Sequence, residues 1–182
     1  MYVILAGTDG QGKTAVINKI QDSGFNAVYT REPYQRWVKD SRKEPILNSY
    51  DFATDRYLHM KDVIIPAKKA GKDIISDRSY VCSLVYQSYD GVDLQWLMNM
   101  QPPNLVFPDA VIWLQGDANV AAQRSGEDAV RLAGIQRGYS NVLNSYELPA
   151  VAWYPVSVDG KSIDEVAEEV IDLINELKGV MR

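Results

Sequence analysis

Cysteine and histidine are nearly missing from this chain: 182 residues contain one of each, Cys82 and His59. A single cysteine excludes an internal disulfide and agrees with a reducing compartment. Positive charge is also in deficit, with 19 Lys and Arg against 24 Asp and Glu and a net charge of −5. The surface as a whole therefore repels a nucleic-acid backbone, and any phosphate must be met by a local cluster of cations. Long hydrophobic runs are missing too: none approaches the roughly 20 apolar residues of a membrane span, and the first apolar stretch ends at Gly7, short of a signal-peptide core. The expectation is a soluble, cytoplasmic protein that binds neither nucleic acid nor membrane.

What is present is an ordinary folding composition, 46% apolar and 24% charged, without repeats or low-complexity segments. The length suits one domain spanning 1–182. Short apolar runs, "YVILAG", "NAVYT", "GKDIISD", "DAVIWLQ" and "AVAWYPVSV", alternate with helical patterns. The longest of these covers about 47–70, where Pro66 should kink or restart the helix. The last, "SIDEVAEEVIDLINEL", directs Ile163, Val166, Val170, Ile171 and Ile174 inward. Such alternation predicts an α/β fold: a parallel five-stranded sheet with helices on both faces, in three layers, and ligands at the carboxyl ends of the strands.

Directly after the first strand stands "GTDGQGKT", residues Gly7, Thr8, Asp9, Gly10, Gln11, Gly12, Lys13 and Thr14. It fits the G-x-x-x-x-G-K-[ST] phosphate-binding loop in the required strand-to-helix context, which implies the P-loop NTPase fold and a seat for nucleotide phosphates. Backbone amides and a helix N-terminus form the anion seat, Lys13 reaches the β- and γ-phosphates, and Thr14 is placed to ligate Mg²⁺. The loop alone does not choose among switches, machines and kinases. Asn18-Lys19, inside the first helix, lacks the aspartate spacing of a guanine-specificity loop, which disfavours a GTPase.

Five ordered segments, "GTDGQGKT", "YTREP", "YDFATDRYLH", "SDRSYVCSLVYQ" and "PDAVIWLQ", resemble the signature segments of thymidylate kinases over 2–115. The resemblance implies ATP- and Mg²⁺-dependent phosphoryl transfer to a deoxynucleoside monophosphate, dTMP above others, and often a homodimer. It assigns Phe52 to stacking on the base, Arg56 to a base carbonyl and Arg78 to the acceptor's 5′-phosphate. Tyr86 crowds the 2′ position of the sugar, Ser83 meets the base, and Pro33 and Cys82 line the acceptor site. Asp77 neighbours Mg²⁺, and Asp9 faces the acceptor's 3′-hydroxyl and phosphate or acts through Mg²⁺. Read from the residues alone, Phe52 as core, Arg56 as a solvated charge, an Asp77–Arg78 ion pair and Asp9 as a turn stabiliser stay open.

No arginine stands inside the loop itself, so the charge over the transferring group is expected from about 118–135, which resembles the lid of the bacterial type. Arg124 and Arg131 flank "SGEDAV" there, with a solvated helix face as the other reading of each. His59 receives no catalytic role. Ala6, Ser79, Cys82 and the "YQRW" after "TREP" depart from the family pattern, which bears on base selectivity more than on phosphoryl transfer. Acceptors such as dUMP or a modified pyrimidine, and a nucleotide-binding switch, are the alternatives.

Overall fold

A computed structural model describes residues 1–35, 37–38, 44–144 and 151–180. Five parallel strands, β1 (Tyr2–Ala6), β2 (Val28–Arg31), β3 (Ile74–Asp77), β4 (Ala110–Gln115) and β5 (Ala152–Ser157), form one sheet in the order β2-β3-β1-β4-β5. The central strand β1 is buried along its whole length, as a continuous apolar run covered on both faces must be. Pro155 lies on the edge strand β5, where a missing N–H costs the least pairing.

Eight α-helices cover the sheet among the described residues: α1 (Lys13–Asp22), α2 (Pro45–His59), α3 (Ile65–Lys69), α4 (Tyr80–Tyr89), α5 (Leu94–Asn99), α6 (Ala118–Ser125), α7 (Ala129–Leu143) and α8 (Ile163–Val180). One face packs against α4, α7 and the segment through Met60, Ile64 and Ala67. The other packs against α1 and α8 through residues such as Val16, Ile20, Val170 and Ile174. The three layers expected from the alternation are present, and Leu5 and Arg31 both stand in register with Asp77. That register brings the ends of β1, β2 and β3 to one edge.

Several boundaries differ from the sequence expectation. The second strand starts at Val28 rather than Asn26 and takes in Arg31. The long helix does not simply bend at Pro66. The proline ring crowds the carbonyl one turn earlier and offers no N–H, and the chain answers upstream with a widened π turn, Met60–Ile64, before α3 restarts with Pro66 in its first turn. Ile163, expected inside, is exposed because it opens α8; Ala167 takes the inner position instead, and Ile171 is half-buried. The helical stretch after β4 is two helices. Gly126 in the left-handed region ends α6, and Asp128 starts α7 by accepting the Arg131 N–H at 2.8 Å. Arg36 of "YQRW" and Ala150 of the fifth strand pattern lie outside the described residues.

Candidate active site

The loop between β1 and α1 is shaped by contact with α6. At Gly10 the backbone has φ 80°, and a Cβ would lie 2.1 Å from the Ala121 carbonyl oxygen, so only glycine fits. Helix α1 begins after Gly12 with no side-chain cap and no acid in its first turn. Its first amides are left for an anion.

Lys13 is buried, and its Nζ donates to the Thr8 carbonyl at 2.7 Å. Burial, and then the Arg78 charge, push its pKa down to about 8. Thr14 Oγ1 donates to Asp77 Oδ2 at 2.5 Å, while the buried Asp77 Oδ1 has no partner among the described residues. An anchored hydroxyl beside an orphaned carboxylate oxygen fits a divalent cation with a largely aqueous shell.

Arg78 is the one non-glycine residue with positive φ among the described residues, 69°, directly past the end of β3. Its N–H donates to the Leu5 carbonyl at 3.0 Å, and its carbonyl accepts from Ser76 Oγ at 2.7 Å. Strain of this kind persists where surrounding bonds over-determine it and is common at functional sites. The guanidinium pairs with Asp9 Oδ1, not with Asp77, and lies 5.0 Å from the Tyr86 ring centroid. Tyr86 Oη donates to Asp9 Oδ2 at 3.1 Å and accepts from the Asp9 N–H at 3.0 Å. Burial alone would raise the Asp9 carboxyl, but the Arg78 and Lys13 charges and the Tyr86 hydroxyl outweigh it and hold Asp9 below the usual range.

Two cavities open at this edge of the sheet. The first, of about 740 Å³, has Phe52 and Pro33 in its lining together with Cys82, Ser83 and Tyr86 from one face of α4, and Asp90 and Glu127 also line it. The second, of about 550 Å³, is lined by the loop from Asp9 to Thr14, Arg31, Asp77, Arg124 and the Val158–Ile163 turn. Asp9, Gly10 and Arg78 line both. The structure thus gathers Phe52, Pro33, Cys82, Ser83 and Tyr86 around the first cavity and Asp77, Arg124 and the loop from Asp9 to Thr14 around the second, while Gly7 and Thr8 line neither.

Arg56 and Arg131 are placed differently. Arg56 is 1% exposed and lines neither cavity. Its Nε and Nη2 donate to Glu32 Oε2 at 3.1 and 2.9 Å, its Nη2 to Ser83 Oγ at 2.7 Å and its Nη1 to Gln101 Oε1 at 2.7 Å. His59 Nδ1 meets the other Glu32 oxygen at 3.2 Å, and His59 Nε2 meets Thr30 Oγ1 at 2.7 Å. Burial would raise Glu32, yet the Arg56 charge and the His59 contact keep it below the usual carboxylate range. Arg56 therefore stands one layer behind the cavity and reaches it through Glu32 and Ser83, which do line it. Arg131 forks onto Asp90 at 2.6 and 3.2 Å, lies 5.2 Å from the Tyr89 ring centroid and lines neither cavity.

Sequence reasoning passed over Glu32, Gln87 and Gln101. Glu32 stands in the middle of "REP", inside the segment "YTREP" that carries part of the resemblance. Gln87 directly follows Tyr86, lines the first cavity, and has a buried Nε2 without a partner among the described residues. An orphaned amide of this kind points to a ligand acceptor.

A family model for thymidylate kinase matches residues 5–142. A probable thymidylate kinase of Staphylothermus marinus is 32% identical over 134 residues, 68% of this chain and 67% of the relative. Thymidylate kinases of Helicobacter pylori and Pelotomaculum thermopropionicum are 32% identical over 148 residues and 33% identical over 167, covering 75% and 80% of this chain and 75% and 77% of the relatives. The crystal structure of thymidylate kinase from Ehrlichia chaffeensis shares the fold, with a TM-score of 0.72 at 21% identity over 96% of this chain and 98% of that one. Because the family match begins inside β1 and ends inside α7, enclosing the phosphate loop, Arg56 of α2, Arg124 of α6 and Arg131 of α7, this chain belongs to the thymidylate kinase family.

Proposed function

We propose that the chain carries out the reaction of its family, phosphoryl transfer from ATP to dTMP, with ATP in the loop-lined cavity and dTMP in the cavity lined by Phe52. The observation that carries this reading is the shared edge: Asp9, Gly10 and Arg78 belong to both cavities. Two phosphate chains entering from opposite sides meet there, with Arg78 between them. Phosphoryl transfer needs positioning and positive charge more than covalent help from the protein. Lys13 and Arg124 supply charge on the donor side, and the loop amides from Gly7 to Thr14 orient the phosphates.

On the acceptor side Arg78 holds the 5′-phosphate, Phe52 stacks on the base, and Tyr86 fills the space beside the sugar. Asp9 stays ionised and meets the 3′-hydroxyl or cationic groups near the phosphate. Arg56 acts at one remove. Because Ser83 Oγ already accepts from Arg56, its own O–H is free to donate to a base carbonyl, and Gln87 Nε2 offers a second donor. Pro33 and Cys82 complete the wall. Thr14 and Asp77 are the residues that would hold Mg²⁺, which when bound neutralises charge on the β- and γ-phosphates.

The segment of about 118–135 serves as the lid, with Arg124 facing the donor and Arg131 anchoring the lid to Asp90. The same reading places the enzyme in the cytoplasm; no helix among the described residues is long and apolar enough to cross a membrane. It also pairs two copies through α2, whose exposed Ile46, Tyr50 and Tyr57 share one face.

A broader acceptor range, including dUMP or a modified pyrimidine, is favoured by one observation. Ser79, small where the family carries tyrosine or histidine, lines the acceptor cavity with a buried hydroxyl that has no partner among the described residues. A coupled assay of ADP release with dTMP, dUMP, dAMP and dGMP tests both readings. We expect turnover with dTMP and none above background with the purines; equal rates with dTMP and the purine monophosphates overturn the assignment.

A further inference from the structure

The Gly7 carbonyl leaves the sheet where β1 ends. A buried main-chain carbonyl must find a donor or forfeit the solvation it gave up. Its donor is the Tyr139 hydroxyl, 3.2 Å away and 132 residues further along the chain. Tyr139 shares the buried face of α7 with Leu132, Ile135 and Val142, has no exposed surface, and lines neither cavity. Its ring stacks on Trp113 of β4 with centroids 5.6 Å apart and planes 29° apart, and Trp113 meets Trp153 of β5 edge to face. The hydroxyl is thus aimed by packed aromatic rings.

Gly7 has little room to adjust. Its φ is 140°, and a Cβ would lie 2.7 Å from the Leu114 carbonyl oxygen. Since a peptide is planar and trans, the Gly7 carbonyl and the Thr8 N–H point in opposite directions, and fixing the first fixes the second. The next two residues are tied by groups of the catalytic site: the Thr8 carbonyl accepts from Lys13, and the Asp9 N–H donates to Tyr86. Of these three bonds, the Gly7 one comes from outside both cavities.

We propose that Tyr139 is a positioning residue for the donor nucleotide: its hydroxyl, held by Trp113, sets the peptide plane at the mouth of the phosphate loop, so the loop amides are aligned before ATP arrives. The inference rests on the reading of the loop as the ATP seat and adds to it a group on α7, the helix whose other end clasps Asp90 through Arg131.

Tyr139→Phe keeps the ring and its stack and removes only the O–H. In calorimetric titration with ATP and Mg²⁺, the Kd for ATP is expected to rise about fivefold, the effect of one buried hydrogen bond, and by more than the Kd for dTMP. Val142→Ala, one turn further along the same buried face and without any hydrogen bond to lose, serves as the companion. It is expected to lower the thermal midpoint and leave ATP affinity intact. An unchanged ATP Kd in Tyr139→Phe, or an equal loss in Val142→Ala, overturns the inference while the ATP reading stands. A wild-type protein that binds no ATP overturns both.

Discussion

Arg56 shows how much one side chain's neighbours decide its task. On a helix pattern alone it reads as a solvated charge or a ligand contact, yet it is a fully buried cation spent on Glu32, Ser83 and Gln101. Breaking a buried, hydrogen-bonded pair leaves one charge uncompensated and costs about 3–5 kcal/mol. We therefore expect Arg56→Ala to lose about 3 kcal/mol of stability at pH 7 in denaturant unfolding. The pH dependence has a definite sign. In the wild type the depressed Glu32 contributes stability that is present above the usual carboxylate range and is lost as pH falls through the folded-state value. Without Arg56, burial raises Glu32 instead, the folded state takes up the proton more readily than the unfolded chain, and the deficit shrinks as pH falls. A deficit under 1 kcal/mol, or one that grows on acidification, would contradict the burial of this pair. The phosphate loop was legible in the sequence because its parts are contiguous. The Glu32 pairing was not, because its partners stand 24 and 27 residues away on another element.

At the scale of elements, alternation and capping chemistry carried most of the fold. The strands, the start of α1 at the glycine loop and the amphipathic α8 were readable from local pattern. The π turn was not, because proline's effect is felt upstream of its own position. The proposed lid was half legible. The arginines around "SGEDAV" marked it, but whether each reaches a cavity depends on how α6 and α7 pack. Arg124 lines the donor cavity, whereas Arg131 pairs with Asp90 and is partly exposed. Turnover should fall at least about tenfold in Arg124→Ala, since charge over the transferring group acts in the transition state. Arg131→Ala should leave kcat within about threefold and alter stability by no more than about 1 kcal/mol, as a half-exposed pair does. Steady-state kinetics of both variants decide this, and the reverse ranking, or no effect from either, would refute the division of roles.

The whole molecule solves a charge problem that composition alone left unexplained. The parallel sheet gathers Lys13, Arg31 and Arg78 at the carboxyl ends of β1, β2 and β3, and α6 adds Arg124, so in the proposed reading a chain of net charge −5 meets two anionic nucleotides with a local cluster of cations. Away from the site an acidic groove of Glu168, Asp172 and Glu176 runs along β5. Glycine spacing pointed to the proposed donor seat. The proposed acceptor seat needs residues from the turn after β2, from α2 and from α4 to converge, which the resemblance to known segments could suggest and residue pattern could not. A crystal structure with dTMP and a non-hydrolysable ATP analogue bound together tests the central claim most directly. The account predicts the dTMP 5′-phosphate within hydrogen-bond reach of the Arg78 guanidinium, its base against Phe52, and the analogue's terminal phosphate beside it over Gly10. A dTMP phosphate bound out of reach of Arg78, or both nucleotides on one side of Asp9, would contradict it.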